Sequence, residues 1–504
     1  MPLASFRTYP ECNSSLPEHE SIVNDFLFRL TLTRIRRETS HQENDIISES
    51  EDGVGIFKAC DIRGVYGRDL TPDIVYRIGR ALGAAHDSRK FVMGGDVRTS
   101  TSTLKNALAR GLTESGVDVT DIGIVPTPAF YFARRHLGID AGVMVTASHN
   151  PPEFNGLKIA LGRMPVTESN LLNIKKLVET ERFRSGSGEI SSLDVLPAYR
   201  ESIKAIAPQV LNLKSFRVIL DCGNGCYSDI APDVFRDFGY QVEELFCEPD
   251  GTFPNRNPNS AVKENLSELC RRVKDSGAQL GIAFDGDGDR VSFVDDRGRF
   301  LASDKGIAIL SGHVLERNTG GKVIYDLKCS SIVPESISDA GGIPIEERSG
   351  HTFIKSRMLT EDAVFGGEIS GHYFYRELHG GDDGLYTALV MAGMLADSGM
   401  RLSDIADSVP EYEITPDIRV PYSGDRANII ERIAAGSHTD SVSMLDGVKI
   451  DFEDGWGLAR VSVTEPVITL RFEARTSDRL CDIISKFLQP VPEIYEQVEK
   501  AIRQ

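Results

Sequence analysis

Two short segments carry residue types able to do chemistry. The first is Thr146-Ala147-Ser148-His149-Asn150-Pro151-Pro152. Ala141-Gly142-Val143-Met144-Val145 leads into it, and this short, apolar, partly β-branched run reads as a buried strand. The strand delivers Ser148 to its carboxyl end, and the two prolines stop regular structure there. That end of an α/β sheet is where ligands bind. Serine in a polar loop is more often a turn residue, so Ser148 gains weight only beside the second segment. This is Leu280-Gly281-Ile282-Ala283-Phe284-Asp285-Gly286-Asp287-Gly288-Asp289-Arg290. Alternate residues of an extended chain point the same way, so Asp285, Asp287 and Asp289 can converge on one hard cation. The intervening glycines let the backbone turn around it. An EF-hand is excluded, because its sixth position requires glycine and is Arg290 here, and its twelfth requires glutamate and is Asp296. As a mere solvated turn, three carboxylates this close would repel one another.

The elements around these segments follow a rhythm of strand, loop and helix. Thr71 caps a helix that has Pro72 in its first turn and a stripe of Ile74, Ile78 and Leu82. A second helix follows Thr101, with Leu104, Leu108 and Leu112 in line and Gly116 ending it. Further strands are expected at Phe91 to Gly94, Phe216 to Asp221, Lys322 to Asp326 and Ala363 to Phe365. Strands alternating with helices indicate α/β units with mixed, mostly parallel sheets. The last ninety or so residues have more β-type runs, such as Val461 to Glu473, and predict a smaller α+β unit. Gly223-Asn224-Gly225 lacks the third glycine of a dinucleotide fingerprint.

A chain of 504 residues has room for two to four domains. A net charge of -19 argues against nucleic acid or an anionic membrane as partner. The eight cysteines, at 12, 60, 222, 226, 247, 270, 329 and 481, show no paired zinc spacing and read as reduced thiols of a cytoplasmic protein. No apolar run approaches the roughly 18 residues of a membrane span; Thr387 to Ala396 suits a buried helix. Residues 1–53 are polar, with one basic-apolar piece from Phe26 to Arg37. They lack the features of a signal or transit peptide and read as a disordered extension.

Five ordered motifs between Gly55 and Lys486 make the chain resemble the α-D-phosphohexomutases, especially the bacterial bifunctional phosphomannomutase/phosphoglucomutase group. They are Cys60-Asp61-Ile62-Arg63-Gly64, Thr146 to Pro151, Asp285 to Arg290, Gly367-Glu368-Ile369-Ser370-Gly371-His372, and Arg460 to Pro466. The resemblance implies three similar α/β domains and a carboxyl-terminal domain around a central active-site cleft. Boundaries are expected at 54–195, 196–299, 300–411 and 412–504. It implies that Ser148 carries a phosphoryl group, with Mg²⁺ held by Ser148, Asp285, Asp287 and Asp289. Arg63 and Arg290 would orient phosphate, Lys158 would carry a proton, and His372 would partner the sugar hydroxyl. Lys328, His351, Glu368 and Ser370 match positions facing substrate. Arg460, Ser462 and Thr464 match the distal phosphate loop. The implied reaction is reversible transfer between the 1- and 6-positions of mannose or glucose phosphates through a hexose 1,6-bisphosphate, which also serves as activator. The oligomeric state is left open.

An acidic body binding phosphosugar needs local positive charge, for which Arg63, Arg98, Lys158, Arg290, Lys328, Arg348, Lys355 and Arg460 are candidates. Three departures from the pattern stand out. Cys60 replaces an aromatic residue, Gly95-Asp96-Val97-Arg98 lacks one arginine, and Val461 and Val463 replace small or polar residues. A phosphoglucosamine mutase and a catalytically silent binding protein on the same fold stay open as alternatives. A serine hydrolase built on Ser148 and His149 lacks a nucleophile elbow, and adjacent residues of an extended loop point apart.

Overall fold

The computed structural model describes residues 53–58, 60–208, 216–436, 441–461 and 466–503. The extension expected over residues 1–53 lies outside them apart from Gly53, as do Ser462, Val463 and Thr464. The described residues up to Pro410 form one unit, and those from Glu411 onward belong to another.

The first unit contains three sheets. The strands of the first are β1 (Ile62–Val65), β2 (Lys90–Gly95), β3 (Asp118–Ile124), β4 (Ala141–Val145), β5 (Phe154–Leu161) and β6 (Ile190–Ser192), in spatial order β1-β5-β4-β2-β3-β6. Those of the second are β7 (Arg217–Asp221), β8 (Gln241–Leu245), β9 (Leu280–Phe284), β10 (Val291–Val294) and β11 (Phe300–Leu301), in order β11-β10-β9-β7-β8. The third holds β12 (Lys322–Asp326), β13 (Ile343–Glu347), β14 (Phe365–Gly367), β15 (Tyr373–Tyr375) and β16 (Gly381–Asp382), in order β13-β12-β14-β15-β16.

All three sheets are mixed in the same way: a parallel part gives way to antiparallel strands, and the functional loop is the hairpin at the change. β4 turns back into β5 through Ser148, β9 into β10 through the three aspartates, and β14 into β15 through Glu368 and Ser370. Each hairpin is closed by a strand pair: Val145 opposite Leu157, Phe284 opposite Val291, and Gly367 opposite Tyr373. Paired strands on both sides hold the loop tip more firmly than a free crossover could.

The helices cover the sheets largely where the apolar spacing places them. Thr71 accepts from Ile74 N at 3.3 Å and starts the helix Pro72–Ala85. Its fully buried stripe runs through Val75, Ile78 and Leu82, while Ile74 is half-buried. The helix is rotated because it packs closely on its neighbour: a side chain at Gly79 would meet Leu108 O at 2.6 Å. That neighbour, Thr101–Thr113, buries Leu104, Leu108 and Leu112, and Gly116 takes a φ of +76° in the turn beyond its end. The strand expected at Ala363 to Phe365 forms two residues later, because pairing with β12 sets Phe365 opposite Val323. The helix Gly384–Ser398 is largely apolar and is buried over most of its length, from Gly384 to Gly393 and at Leu395. No helix among the described residues is long and apolar enough to cross a membrane.

The second unit is α+β. Its strands are β17 (Glu413–Ile414), β18 (Ile418–Pro421), β19 (Val442–Ser443), β20 (Val448–Phe452), β21 (Gly455–Val461) and β22 (Val467–Ala474), in an antiparallel sheet. The run expected as one stretch from Val461 to Glu473 is therefore the end of one strand and most of the next. Helices Arg426–Gly436, Ser477–Leu488 and Pro492–Arg503 accompany the sheet, whose core includes Ile468, Leu470, Phe472, Ile483 and Phe487.

Candidate active site

Ser148 stands one turn beyond β4 with a φ of 50°, a left-handed conformation that costs about 1 kcal/mol or more for a residue with a Cβ. The surroundings hold it there. Its backbone N–H donates to Thr146 Oγ1 at 2.8 Å, and its Oγ donates to Asp285 Oδ2 at 2.7 Å. Arg98 wires the loop from behind. Its guanidinium donates to the carbonyls of Ser148, Asn150, Pro151 and Phe154 and to Asp96, entirely buried. Arg98 therefore supplies no free charge to an anion, which corrects its place among the phosphate-facing cations.

The three aspartates converge through a turn rather than by flat alternation: Gly288 has a φ of +80°, and Asp285 Oδ1 accepts from Gly288 N and Arg290 N. Their carboxylate oxygens lie within 4.8 Å of one another, all buried. The glycines are needed for contact. A side chain at Gly286 would meet Ser148 O at 2.5 Å, and one at Gly288 would meet the Tyr227 ring at 2.5 Å. Thr127 and Thr146 both donate to Asp287 Oδ2, at 2.6 and 3.1 Å. Gly384 N donates to Gly288 O, and Val291 N to Gly371 O, so the loop is tied to all three sheets.

Charge in this cluster is unbalanced without a further cation. Burial, then Asp289 and Asp287, push the Asp285 carboxyl up to about 8. Lys158 on β5 donates to Asp287 Oδ2 at 2.9 Å and to Asp289. Burial works against its ammonium, but Asp287 and Asp289 outweigh it and hold it charged well above the usual lysine range. Asp287 Oδ1 and Asp289 Oδ1 are buried with no hydrogen-bond partner. Orphaned acceptors in an all-oxygen set fit a hard divalent ion.

Ser148, Lys158 and Arg290 line a cavity of about 200 Å³ together with Lys58, Cys60, Asp61, Arg63, His149, His351 and His372. Arg63 donates to Asp61 and to Asn150. His149 Nδ1 comes within 3.3 Å of Ser148 Oγ, because the left-handed turn at Ser148 folds the ring back. The expectation that adjacent side chains point apart fails here. Burial, followed by Arg290 and Arg63, holds His149 well below its usual proton affinity, so it is a poor base for a hydrolase. His372 is held between Asp382, 2.7 Å from Nδ1, and Arg290 Nε, which donates to Nε2 at 3.0 Å. Burial opposes an imidazolium, but Asp289 and Asp382 raise the ring above its usual value. An arginine Nε can only donate, so the ring is neutral while the Arg290 bond lasts.

Glu368 and Ser370 occupy the β14–β15 turn just outside the lining of that cavity. Glu368 Oε2 and Ser370 Oγ are buried without hydrogen-bond partners, and burial raises the glutamate. His351 opens the helix His351–Glu361 and stacks on His372, with ring centroids 5.7 Å apart. Lys328 follows β12, where its N–H donates to Asp326. Arg348 lies over Phe353 and Lys355 over Tyr131. Cys60 Sγ is 3.0 Å from Thr352 Oγ1. Arg460, on β21 of the other unit, is paired with Asp446. Sequence reasoning missed Thr127 and Asp383, whose partners Asp287 and Tyr199 lie far away along the chain, and Asp382, which reaches His372 ten residues away across a strand pair.

The amino-acid sequence matches four successive domain patterns described as phosphoglucomutase/phosphomannomutase: α/β/α domain I at residues 54–185, domain II at 197–298, domain III at 302–412 and the C-terminal domain at 418–489. The chain belongs to the phosphoglucomutase/phosphomannomutase family. It is thereby an enzyme of the phosphohexomutase class, whose members depend on a metal ion. Among its relatives is a phosphomannomutase/phosphoglucomutase of Pseudomonas aeruginosa, 38% identical over 84% of this chain and 93% of that protein. A phosphoglucomutase of Neisseria gonorrhoeae is 37% identical over 86% of this chain and 95% of its own length. A crystal structure of a family member from Burkholderia thailandensis superposes with a TM-score of 0.82 at 35% identity, covering 88% of this chain and 98% of that one.

Proposed function

We propose that this enzyme moves a phosphoryl group reversibly between the 1- and 6-positions of mannose and glucose phosphates, through phosphorylated Ser148 and a hexose 1,6-bisphosphate. The observation that carries the reading is Ser148 Oγ bonded to Asp285 inside a buried three-carboxylate loop, with Arg63, Lys158, Arg290 and His372 around the same cavity. Mg²⁺ on Asp285, Asp287 and Asp289 would neutralise charge on the phosphoryl oxygens and relieve Lys158 of those carboxylates.

Arg63 and Arg290 orient phosphate through their forked donors. As the sugar oxygen bonds to phosphorus and the bond to Ser148 breaks, the hydroxyl proton passes to His372 Nε2. Lys158 Nζ supplies a proton to Ser148 Oγ. The bisphosphate then turns and returns its other phosphoryl group to Ser148 by the reverse steps. Free bisphosphate activates by loading Ser148 in the same manner.

Lys328 and His351 hold the sugar phosphate, while Glu368 and Ser370 take the 3- and 4-hydroxyls. Glucose and mannose share those hydroxyls, so the site accepts both. The double name of the Pseudomonas relative supports this. Arg460, Ser462 and Thr464 receive the distal phosphate, and the domain limits are those expected above. The reaction runs in the cytoplasm. Intact mass should show one phosphate on Ser148, and Ser148→Ala should lose turnover even with glucose 1,6-bisphosphate present; wild-type turnover in that variant would end the reading. A ratio of specificity constants for the two sugar phosphates beyond about a thousandfold, roughly 4 kcal/mol, would end the dual specificity.

A further inference from the structure

We propose that Asp382 is the positioning residue for His372, fixing the ring in the tautomer that presents a bare Nε2 to the cavity. The inference rests on the reading of His372 as proton acceptor for the sugar hydroxyl. Asp382 Oδ2 lies 2.7 Å from His372 Nδ1, and both side chains are about 3% exposed. Arg290 Nε donates to the opposite ring nitrogen at 3.0 Å. A guanidinium carries donors only, so Nε2 must be the accepting nitrogen and Nδ1 must carry the hydrogen. The nearest competing carboxylate oxygen, Asp289 Oδ1, is 3.9 Å from Nδ1, beyond hydrogen-bonding range. The bond to Asp382 therefore decides which nitrogen is free.

The backbone makes this bond rigid. Asp382 lies on β16, opposite Phe374 of β15, two residues from His372. The next residue, Asp383, caps the helix Gly384–Ser398 and accepts from Tyr199 and Tyr227 at 2.8 and 2.9 Å. The His372 ring is also stacked between His351 and Phe374, at 5.7 and 6.0 Å between centroids. Neither the carboxylate nor the ring has freedom to drift. When a substrate phosphate draws Arg290 aside, Nε2 is left facing the cavity with its lone pair available.

Asp382→Asn tests this, because an asparagine amide can turn and donate to Nδ1, moving the ring hydrogen to Nε2. In the Mg²⁺-loaded enzyme acting on glucose 1-phosphate, kcat should fall about a hundredfold or more while KM changes less than about threefold. The double variant with His372→Ala should be no slower than His372→Ala alone, since Asp382 acts only through the ring. Imidazole ¹⁵N spectra, with the His372 signal identified by its loss in His372→Gln, should show an Nδ1–H ring in the unmodified enzyme and an Nε2–H ring in Asp382→Asn. If His372→Ala is slow but Asp382→Asn turns over normally, or the two losses add, the positioning role is overturned and the reading of His372 stands. Full turnover in His372→Ala would overturn both. The spectrum of the unmodified enzyme does not depend on the Asp382 variant folding: an Nε2–H ring there refutes the proposal by itself.

Discussion

Lys158→Met removes an ammonium from the carboxylate cluster while keeping most of its volume. Lys158 is the cation that donates to Asp287 and Asp289, and all three side chains are buried. Deleting one partner of a buried ion pair leaves an uncompensated charge, at a cost of about 3–5 kcal/mol. For a cooperative unit of this size that corresponds to a melting point lower by about 4–7 °C. Part of the cost is relieved by protonation. Without Lys158, the folded-state pKa of the carboxylates rises above the unfolded one. Stability present below the ordinary carboxylate pKa is then lost as pH rises through the raised value. The deficit should therefore be larger near pH 8 than near pH 6, growing by up to about 1.4 kcal/mol per pH unit for one carboxyl that stays protonated in the folded protein and ionised in the unfolded chain. Millimolar Mg²⁺ offers the carboxylates another counter-charge, so the deficit should shrink to less than half of its value in EDTA. Thermal unfolding followed by near-UV circular dichroism, in EDTA and in Mg²⁺ at both pH values, gives all four numbers. A deficit equal in EDTA and Mg²⁺, or none in EDTA, would show that Lys158 and the metal do not share these carboxylates.

Asp383→Asn probes the junction behind the Asp285–Asp289 loop. Burial pushes this carboxyl up to about 6, against hydrogen bonds from Tyr386 N, Tyr199 and Tyr227 that favour its charge. The stability it contributes is present below the ordinary carboxylate pKa and lost as pH rises through about 6. Relative to the parent enzyme, the asparagine variant should gain up to about 2 kcal/mol between about pH 4.5 and pH 7.5; denaturant titrations showing a pH-independent difference would contradict this. Arg98→Lys leaves three donors where the guanidinium has five, so at least two of its five buried bonds are lost, at least one of them to the Ser148 loop, at about 1.5–3 kcal/mol each. Faster hydrogen exchange over residues 146–156 and a kcat reduced by about tenfold or more are expected, with unchanged exchange counting against the role given to Arg98. Val463→Asn should raise kcat/KM for the phosphosugar by up to about tenfold, for one added hydrogen bond of roughly 1.4 kcal/mol; an unchanged value would mean that the backbone already serves the phosphate.

Reading the chain alone was enough to find Ser148, the Asp285–Asp289 loop and the buried strands that end at both, because these signals are local. A run such as Leu280 to Phe284 is apolar whatever surrounds it, and alternating Asp and Gly limit the chemistry open to the loop. Thr71 and Pro72 likewise start their helix through contacts within one turn. Tertiary structure decided what depends on residues far apart in the chain. Which face the helix Pro72–Ala85 buries was set by its packing on Thr101–Thr113, and where β14 begins was set by its register with β12. The left-handed backbone of Ser148 exists because Arg98, Thr146 and Asp285 hold it, and that turn in turn brings His149 to Ser148 Oγ. Arg98 looks like any phosphate-binding arginine in the sequence, and only its four carbonyl partners make it a brace. Asp382 sits in a run of two acids that any turn could carry; its meaning comes from a strand pairing that sets it 2.7 Å from His372. Local pattern names the residues that can react, whereas orientation, tautomer and charge state belong to partners that only the folded chain brings together.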